Sequence, residues 1–435
     1  MVFNQFIIIY ISLLNNIISL KLNVNKKFVN SHRLLKYVSL INKSSYNNYS
    51  ERTLINLPIQ QSELGLYVVN INIGDPKQDF ALILDSGSSI IWVYDDICNS
   101  CKSKNKFVSS KSKTIQKLKE NINLNYISGN IKGNLCQDYL NFNNVNIPSF
   151  YFLLVYESNI EFEIDGILGV SKGSFNKKYS FLNQLKEKKI IKNNILLYDL
   201  FNKSFYIGEI PEIYLEQKSI SCKNKDYKSN FWKCDINYIK IDNIPIIIES
   251  EIIFDSGTNG MIFPIKYKEI FQNIIKNNPI FKKGKCELEY FSKEKFYQII
   301  CNNTLEYKNK NNSVNFLEIY LDKGDNNSVR LQLSDLLDED EKTFYLFFLE
   351  RKKEILLGSQ FFEKYPVLFN LDDNRVVIFG TGNDLYKYRK NFNYKIGTIQ
   401  IILIVVIFIL LLLIFARIQC INRRTSSYNQ IELLV

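Results

Sequence analysis

Asp85-Ser86-Gly87-Ser88 and Asp255-Ser256-Gly257-Thr258 stand 170 positions apart, each entered by an apolar run: Ala81-Leu82-Ile83-Leu84 before the first, Ile252-Ile253-Phe254 before the second. One such string marks only a turn. A string of the form Asp-[Ser/Thr]-Gly-[Ser/Thr] arises by accident in roughly one chain of this length in a hundred, so a second copy points to one chemical idea stated twice. An apolar strand ending in Asp brings a carboxylate up through a core and presents it at the strand tip. Gly87 and Gly257 let the backbone turn tightly around the acid, while the flanking Ser86, Ser88, Ser256 and Thr258 offer hydroxyls that pin its orientation. If Asp85 and Asp255 face each other, like charges a few ångströms apart do not both ionise, and the pair shares one proton. Such a dyad polarises a carbonyl with its proton and activates a water with its carboxylate, which is peptide hydrolysis without a covalent intermediate.

Elimination narrows the chemistry further. The chain has a single histidine, His32, in a polar stretch ahead of the first plausible strand. Ser-His, Cys-His and His-ligated zinc chemistry are therefore close to excluded from the folded body, and no metal or cofactor is expected. Gly169, Gly173 and similar glycines do not fall into the spacings of phosphate-binding loops. The net charge of +11 is spread thinly, with no dense basic stripe interleaved with aromatics, so nucleic acid is a poor candidate partner. The excess of Asn and Lys makes polar tracts such as residues 308–315 loop insertions.

At residues 85–92, reading Asp-Ser-Gly-Ser-Ser-Ile-Ile-Trp, the chain resembles the first active-site loop of the pepsin-like aspartic proteases, and residues 255–260 resemble the second. Tyr126-Ile127-Ser128-Gly129, with Gly133 beyond, resembles that family's flap, whose tyrosine closes over bound peptide and hydrogen-bonds the tryptophan matched here by Trp92. Ile164-Asp165-Gly166-Ile167-Leu168-Gly169 and Ile355-Leu356-Leu357-Gly358 resemble the two strands that thread behind the acid loops. The resemblance runs from about residue 64 to about residue 380, and within that family the chain is similar to the plasmepsins. It implies a mainly β, bilobal pepsin-like fold with a catalytic Asp loop from each lobe, and a cofactor-independent aspartic endopeptidase acting on polypeptides as a monomer. By resemblance, Ser88 and Thr258 bond the outer carboxylate oxygens, and Ser86 and Ser256 cross between lobes. Asn259, Ser359 and Ile127 depart from the usual residues; none removes a catalytic atom, but they bear on pocket shape and pH optimum. A catalytically inactive peptide-binding receptor on the same fold is the alternative; retention of Asp85, Asp255, Ser88, Thr258, Tyr126 and Trp92 argues against it.

Seven of the eight cysteines precede the last apolar segment, which suits an oxidising compartment. The resemblance pairs Cys98 with Cys101 and Cys286 with Cys301; Cys222 and Cys234 are candidates for a third loop, leaving Cys136 odd. A zinc site at Cys98 and Cys101 has no second close-spaced pair to complete it.

The organisation read from the chain is a signal peptide or signal anchor over 1–20, a prosegment or disordered leader over 21–60, and lobes over 61–215 and 216–385. A membrane helix follows over 396–416, then a cytosolic tail over 417–435. Residues 6–20 are apolar but interrupted by Asn15 and Asn16, as suits a signal core. Residues 396–416 carry no charge over 21 positions, about 31 Å of helix, enough to span a bilayer. With a cleaved signal this is a single-pass type I membrane protein whose catalytic body is lumenal or extracellular. In the tail, Tyr428-Asn429-Gln430-Ile431 resembles a tyrosine-based sorting signal for an adaptor, and Cys420 is a candidate for palmitoylation. Along the body, residues 66–73 alternate, residues 74–77 turn, and residues 80–84 run into the first acid, the pattern of a hairpin. Ile270, Phe271, Ile274 and Ile275 make one helical face, and Phe181, Leu182 and Leu185 another.

Overall fold

A computed structural model describes residues 54–380, apart from 144, 174–176, 225–228, 242–243, 249, 293–294, 306–315, 322–327, 339, 341 and 351. The segment 1–20, the leader to residue 53, His32, the span 396–416, Cys420 and the tail signal at 428–431 lie outside the described residues, as does 308–315. No helix among the described residues is long and apolar enough to cross a membrane.

The body is mainly β, and the doubling seen in the sequence recurs in its topology. The first acid strand, Gln78–Asp85, runs parallel to Gly166–Gly169, which is antiparallel to Ile91–Tyr94, which is in turn parallel to Val145–Ser158. The second acid follows Glu251–Phe254, which runs parallel to Ile355–Leu357; that strand is antiparallel to Met261–Pro264, itself parallel to Thr343–Leu349. Both halves thus thread a short strand between the acid strand and the strand leaving the acid loop. Such threading buries both faces of the central strands, which explains the continuous apolar runs ahead of each Asp. Leu82 and Leu84 before the first acid, and Ile252 and Phe254 before the second, are fully enclosed.

The expected hairpin is present: Tyr67–Ile73 pairs antiparallel with Gln78–Asp85, from Ile73 opposite Gln78 to Val68 opposite Ile83. The helix Phe181–Glu187 buries Phe181, Leu182 and Leu185. In Lys268–Asn277 the buried face is Phe271, Ile274 and Ile275, whereas Ile270 is exposed. Its position on the 3.6-residue pattern lies at the edge of the stripe, so apolar character alone misplaced it.

Beneath both halves lies an antiparallel sheet to which each contributes. Its order is Ser219–Lys223, Arg375–Phe379, Val367–Asn370, Ile195–Asp199, Ser204–Ile207 and Ile55–Gln61. The last of these, Ile55–Gln61, covers the end of the stretch read from the sequence as leader, and there the chain is a paired strand. Ile55, Leu57 and Ile59 alternate inward and are buried. The strand changes partners midway: Ile55 to Pro58 pair with Ser204–Ile207, and Ile59 to Gln61 pair with Tyr67–Ile73. Pro58, which lacks a ladder donor, sits at that change, where proline costs a strand least.

Disulfides join Cys98 to Cys101, Cys222 to Cys234 and Cys286 to Cys301, while Cys136 is a buried free thiol. Cys98 and Cys101 are therefore consumed by each other, and among the described residues no cluster of side chains suits a metal ion.

Candidate active site

Each acid is fixed by its own loop and by the opposite one. Gly87 N donates to Asp85 Oδ1 at 2.7 Å, and the Ser88 hydroxyl donates to Asp85 Oδ2. In the second loop Gly257 N donates to Asp255 Oδ1 at 3.2 Å and Thr258 Oγ1 to Asp255 Oδ2 at 2.8 Å. Four further bonds cross between the halves. Ser86 Oγ donates to Phe254 O at 2.9 Å and accepts from Ser256 N at 2.9 Å; Ser256 Oγ donates to Leu84 O at 2.7 Å and accepts from Ser86 N at 3.0 Å. All four are buried, where an unpaired polar atom costs most, so the two loops hold one another in register.

The glycines set how closely the acids approach. A Cβ on Gly87 would lie 2.5 Å from Asp255 Oδ1, and one on Gly257 would lie 2.6 Å from Asp85 Oδ1. Each carboxyl therefore rests against the backbone of the other loop, in space that only glycine leaves open. Burial, then the charge of Asp255, push the Asp85 carboxyl above its ordinary range. Burial also raises Asp255, while the Thr258 hydroxyl, a hydrogen bond from Asp85 and the positive charge of Lys352 work against that rise. Both acids are thus held above the ordinary carboxylate range, so the resting pair shares one proton and titrates as a unit.

The shared proton has a consequence for stability. The native state keeps the Asp85 proton at pH values where the unfolded chain, with its carboxyl at 3.8, has lost it. Stability is fully present below that value and falls as pH rises through the higher native one. Calorimetric melting should show a thermal midpoint that declines from about pH 4 to about pH 8, with the slope reduced in Asp85→Asn. A midpoint with the same slope in both proteins would contradict the assignment.

The strands Gln116–Tyr126 and Gly129–Phe142 form the flap hairpin, with Tyr126 opposite Gly129 and residues 127–128 at its tip. Ile127 is exposed there. The Trp92 indole N–H donates to the Tyr126 hydroxyl at 2.9 Å, with the rings 6.2 Å apart. Burial, then the nearby Asp85, hold the Tyr126 phenol above its ordinary range, so it stays protonated. Asn159 was not evident from the sequence: its Oδ1 accepts from Asn130 N at 2.5 Å, its own N–H donates to Asn130 O at 3.2 Å, and it clamps the returning strand just behind the hairpin tip. The Tyr126 hydroxyl is the acceptor of the fully buried Trp92 N–H among the described residues, so Tyr126→Phe costs about 1–3 kcal/mol. Peptide kcat/KM should fall about tenfold, checked by steady-state hydrolysis; an unchanged value would show that the flap contact is idle.

Asn259 and Ser359, which depart from the resembled pattern, meet each other. Ser359 Oγ is 3.2 Å from Asn259 Oδ1 and 3.0 Å from Gln360 Oε1, and the same Gln360 oxygen accepts from Gly260 N. Ser359 N donates to Thr258 O and Gly358 N to Gly260 O, each at 2.8 Å. A polar trio thus braces the second loop from behind. A cleft of about 1070 Å³ opens over both acids, walled by Leu124 and Phe162 on one side and by Phe347 and Leu349 on the other, with the flap above.

Two acid loops locked face to face under a flap define an aspartic peptidase. Residues 66–379 match the family model described as eukaryotic aspartyl protease, and the chain belongs to that family. Similar proteins include plasmepsin I of Plasmodium falciparum (27% identical, covering 80% of this chain and 77% of the relative) and chymosin of Bos taurus (25%; 51% and 61%). Cathepsin D of Gallus gallus is 27% identical over 50% of this chain and 58% of its own length. As a member of this family the chain is an aspartic-type endopeptidase, a hydrolase whose substrates are polypeptides.

Proposed function

We propose that Asp85 and Asp255 are the catalytic pair, and that the enzyme works tethered to a membrane on the lumenal or extracellular side. The observation that carries the first part is the mutual approach of each acid to the other loop's glycine within the crossed serine bonds. A water held between the carboxyls attacks the scissile carbonyl carbon and gives its proton to Asp255, while Asp85 gives its proton to the carbonyl oxygen. The resulting diol collapses as a proton passes to the leaving nitrogen and the C–N bond breaks. Peptide lies extended beneath the flap, with Tyr126, Ser128, Gly129 and Trp92 forming or supporting its upper contacts.

The tether is supported by the uncharged 21-residue run at 396–416, and the compartment by three disulfides in the body. The Tyr428-to-Ile431 pattern would place an adaptor contact in the cytosol. The test is to purify the full chain from membranes, sequence its N-terminus and challenge it with a peptide library between about pH 4 and 7. Cleaved peptides, a new N-terminus before residue 55 and retention in the membrane fraction are expected. Binding without a cut at any pH would replace the enzyme with a receptor, and release into the soluble fraction would remove the tether.

A further inference from the structure

The charged residues lining the cleft are the two dyad acids, Glu161, Glu354 and Lys352. Lys352 is the one cation among them, and it pairs with no acid among the described residues. It lies on the connection between Thr343–Leu349 and Ile355–Leu357, half-buried at the rim on the Asp255 side. Its neighbour Glu354 does not neutralise it, because that carboxylate is committed elsewhere. Lys233 Nζ sits 3.3 Å from Glu354 and 2.9 Å from Glu251, with its side chain only 12% exposed. Strand pairing enforces that arrangement: Lys233 stands opposite Ile253, and Ile252 opposite Ile355, which gathers the three side chains at one edge. The cleft is left with a cation whose field already reaches Asp255.

Beside it, Phe296, Phe347 and Leu349 give the same wall an apolar floor, with the Phe296 and Phe347 rings packed edge to face at 5.4 Å. A floor of this kind with the ammonium of a half-buried lysine at its rim matches a side chain with an aliphatic stem and an anionic end. We propose that Lys352 is a specificity-determining residue that makes this enzyme favour peptides with an acidic side chain, glutamate above all, where the substrate crosses the Asp255-side wall. The proposal rests on the endopeptidase reading for its catalytic consequence, but not for its binding consequence.

The test uses the full chain and sets of peptides that differ only in carrying Glu, Gln or Lys at one position, scanned across three residues on each side of the cut. Each peptide is also made with the scissile amide reduced, so that binding is read without cleavage. At one position the wild type should prefer Glu to Lys by about fivefold or more in kcat/KM and in affinity. Lys352→Gln should bring that ratio close to one, and Lys352→Glu should invert it; the ratio is internal to each variant and independent of its overall activity. The same Glu/Lys ratio in all three proteins, with peptides still cut, overturns the Lys352 assignment and leaves the peptidase reading standing. A ratio that Lys352→Glu inverts in binding, with no peptide cut by the wild type, supports the assignment and overturns the hydrolytic reading.

Discussion

Asp85→Asn, and equally Asp255→Asn, should give a chain that folds and cuts no peptide, with kcat/KM reduced by at least about a thousandfold. Asparagine has nearly the shape of aspartate, so Gly87 N can still donate to the side-chain oxygen, and the crossed serine bonds do not involve the changed group. What disappears is the proton economy. Without a carboxyl at 85 there is no proton to hand to the carbonyl oxygen; without a carboxylate at 255 nothing takes the proton from water. Because the native dyad forces two acids into one buried space, neutralising one relieves repulsion, and the thermal midpoint should hold or rise at neutral pH. Peptide hydrolysis and circular-dichroism melting of both variants read the two halves of this prediction. Turnover like that of the wild type in either variant would refute the dyad.

Gly166→Ala should be the most damaging one-carbon change in the first half. Gly166 begins the threading strand, opposite Val93, with φ +156°. An added Cβ would lie 2.0 Å from the Trp92 carbonyl oxygen and 3.1 Å from Leu82 Cδ2, and both residues are wholly buried. Neither obstacle can retreat, so the strand must leave its slot between the acid strand and Ile91–Tyr94. A loss of about 3–5 kcal/mol follows, a large share of the 5–15 kcal/mol typical of a whole domain. Gly173→Ala is the control: its Cβ would approach the Asn230 side-chain oxygen at 2.7 Å, but that side chain is exposed and can swing away. A shift below about 1 kcal/mol is expected there. Urea unfolding of the two variants compares them; equal midpoints would mean that the slot tolerates a Cβ.

What the chain disclosed before folding was the part written locally. Each acid string adjoins its own apolar entry, and the threading motifs at 164–169 and 355–358 are equally short and self-contained, so the physical demands within each stretch coincide. The strand Ile55–Gln61 was hidden because its polar surroundings and Pro58 speak against a strand until its partners, Ser204–Ile207 and Tyr67–Ile73, are known. Asn259 and Ser359 look like two separate anomalies in one dimension; 100 residues apart, they turn out to share a hydrogen bond. The Asn159 clamp and the place of Lys352, which pairs with no acid among the described residues, were likewise invisible, since each derives its meaning from groups that the fold alone brings near or keeps away.

The crossed bonds of Ser86 and Ser256 make catalytic competence a conjunction. A half that folded alone would leave its serine hydroxyl and loop N–H without the carbonyl and hydroxyl they need, and its acid without the opposite glycine backbone to rest against. Damage to one half therefore does not yield an enzyme at half strength. It silences the other half as well, because each acid is held for chemistry only while both loops are in place.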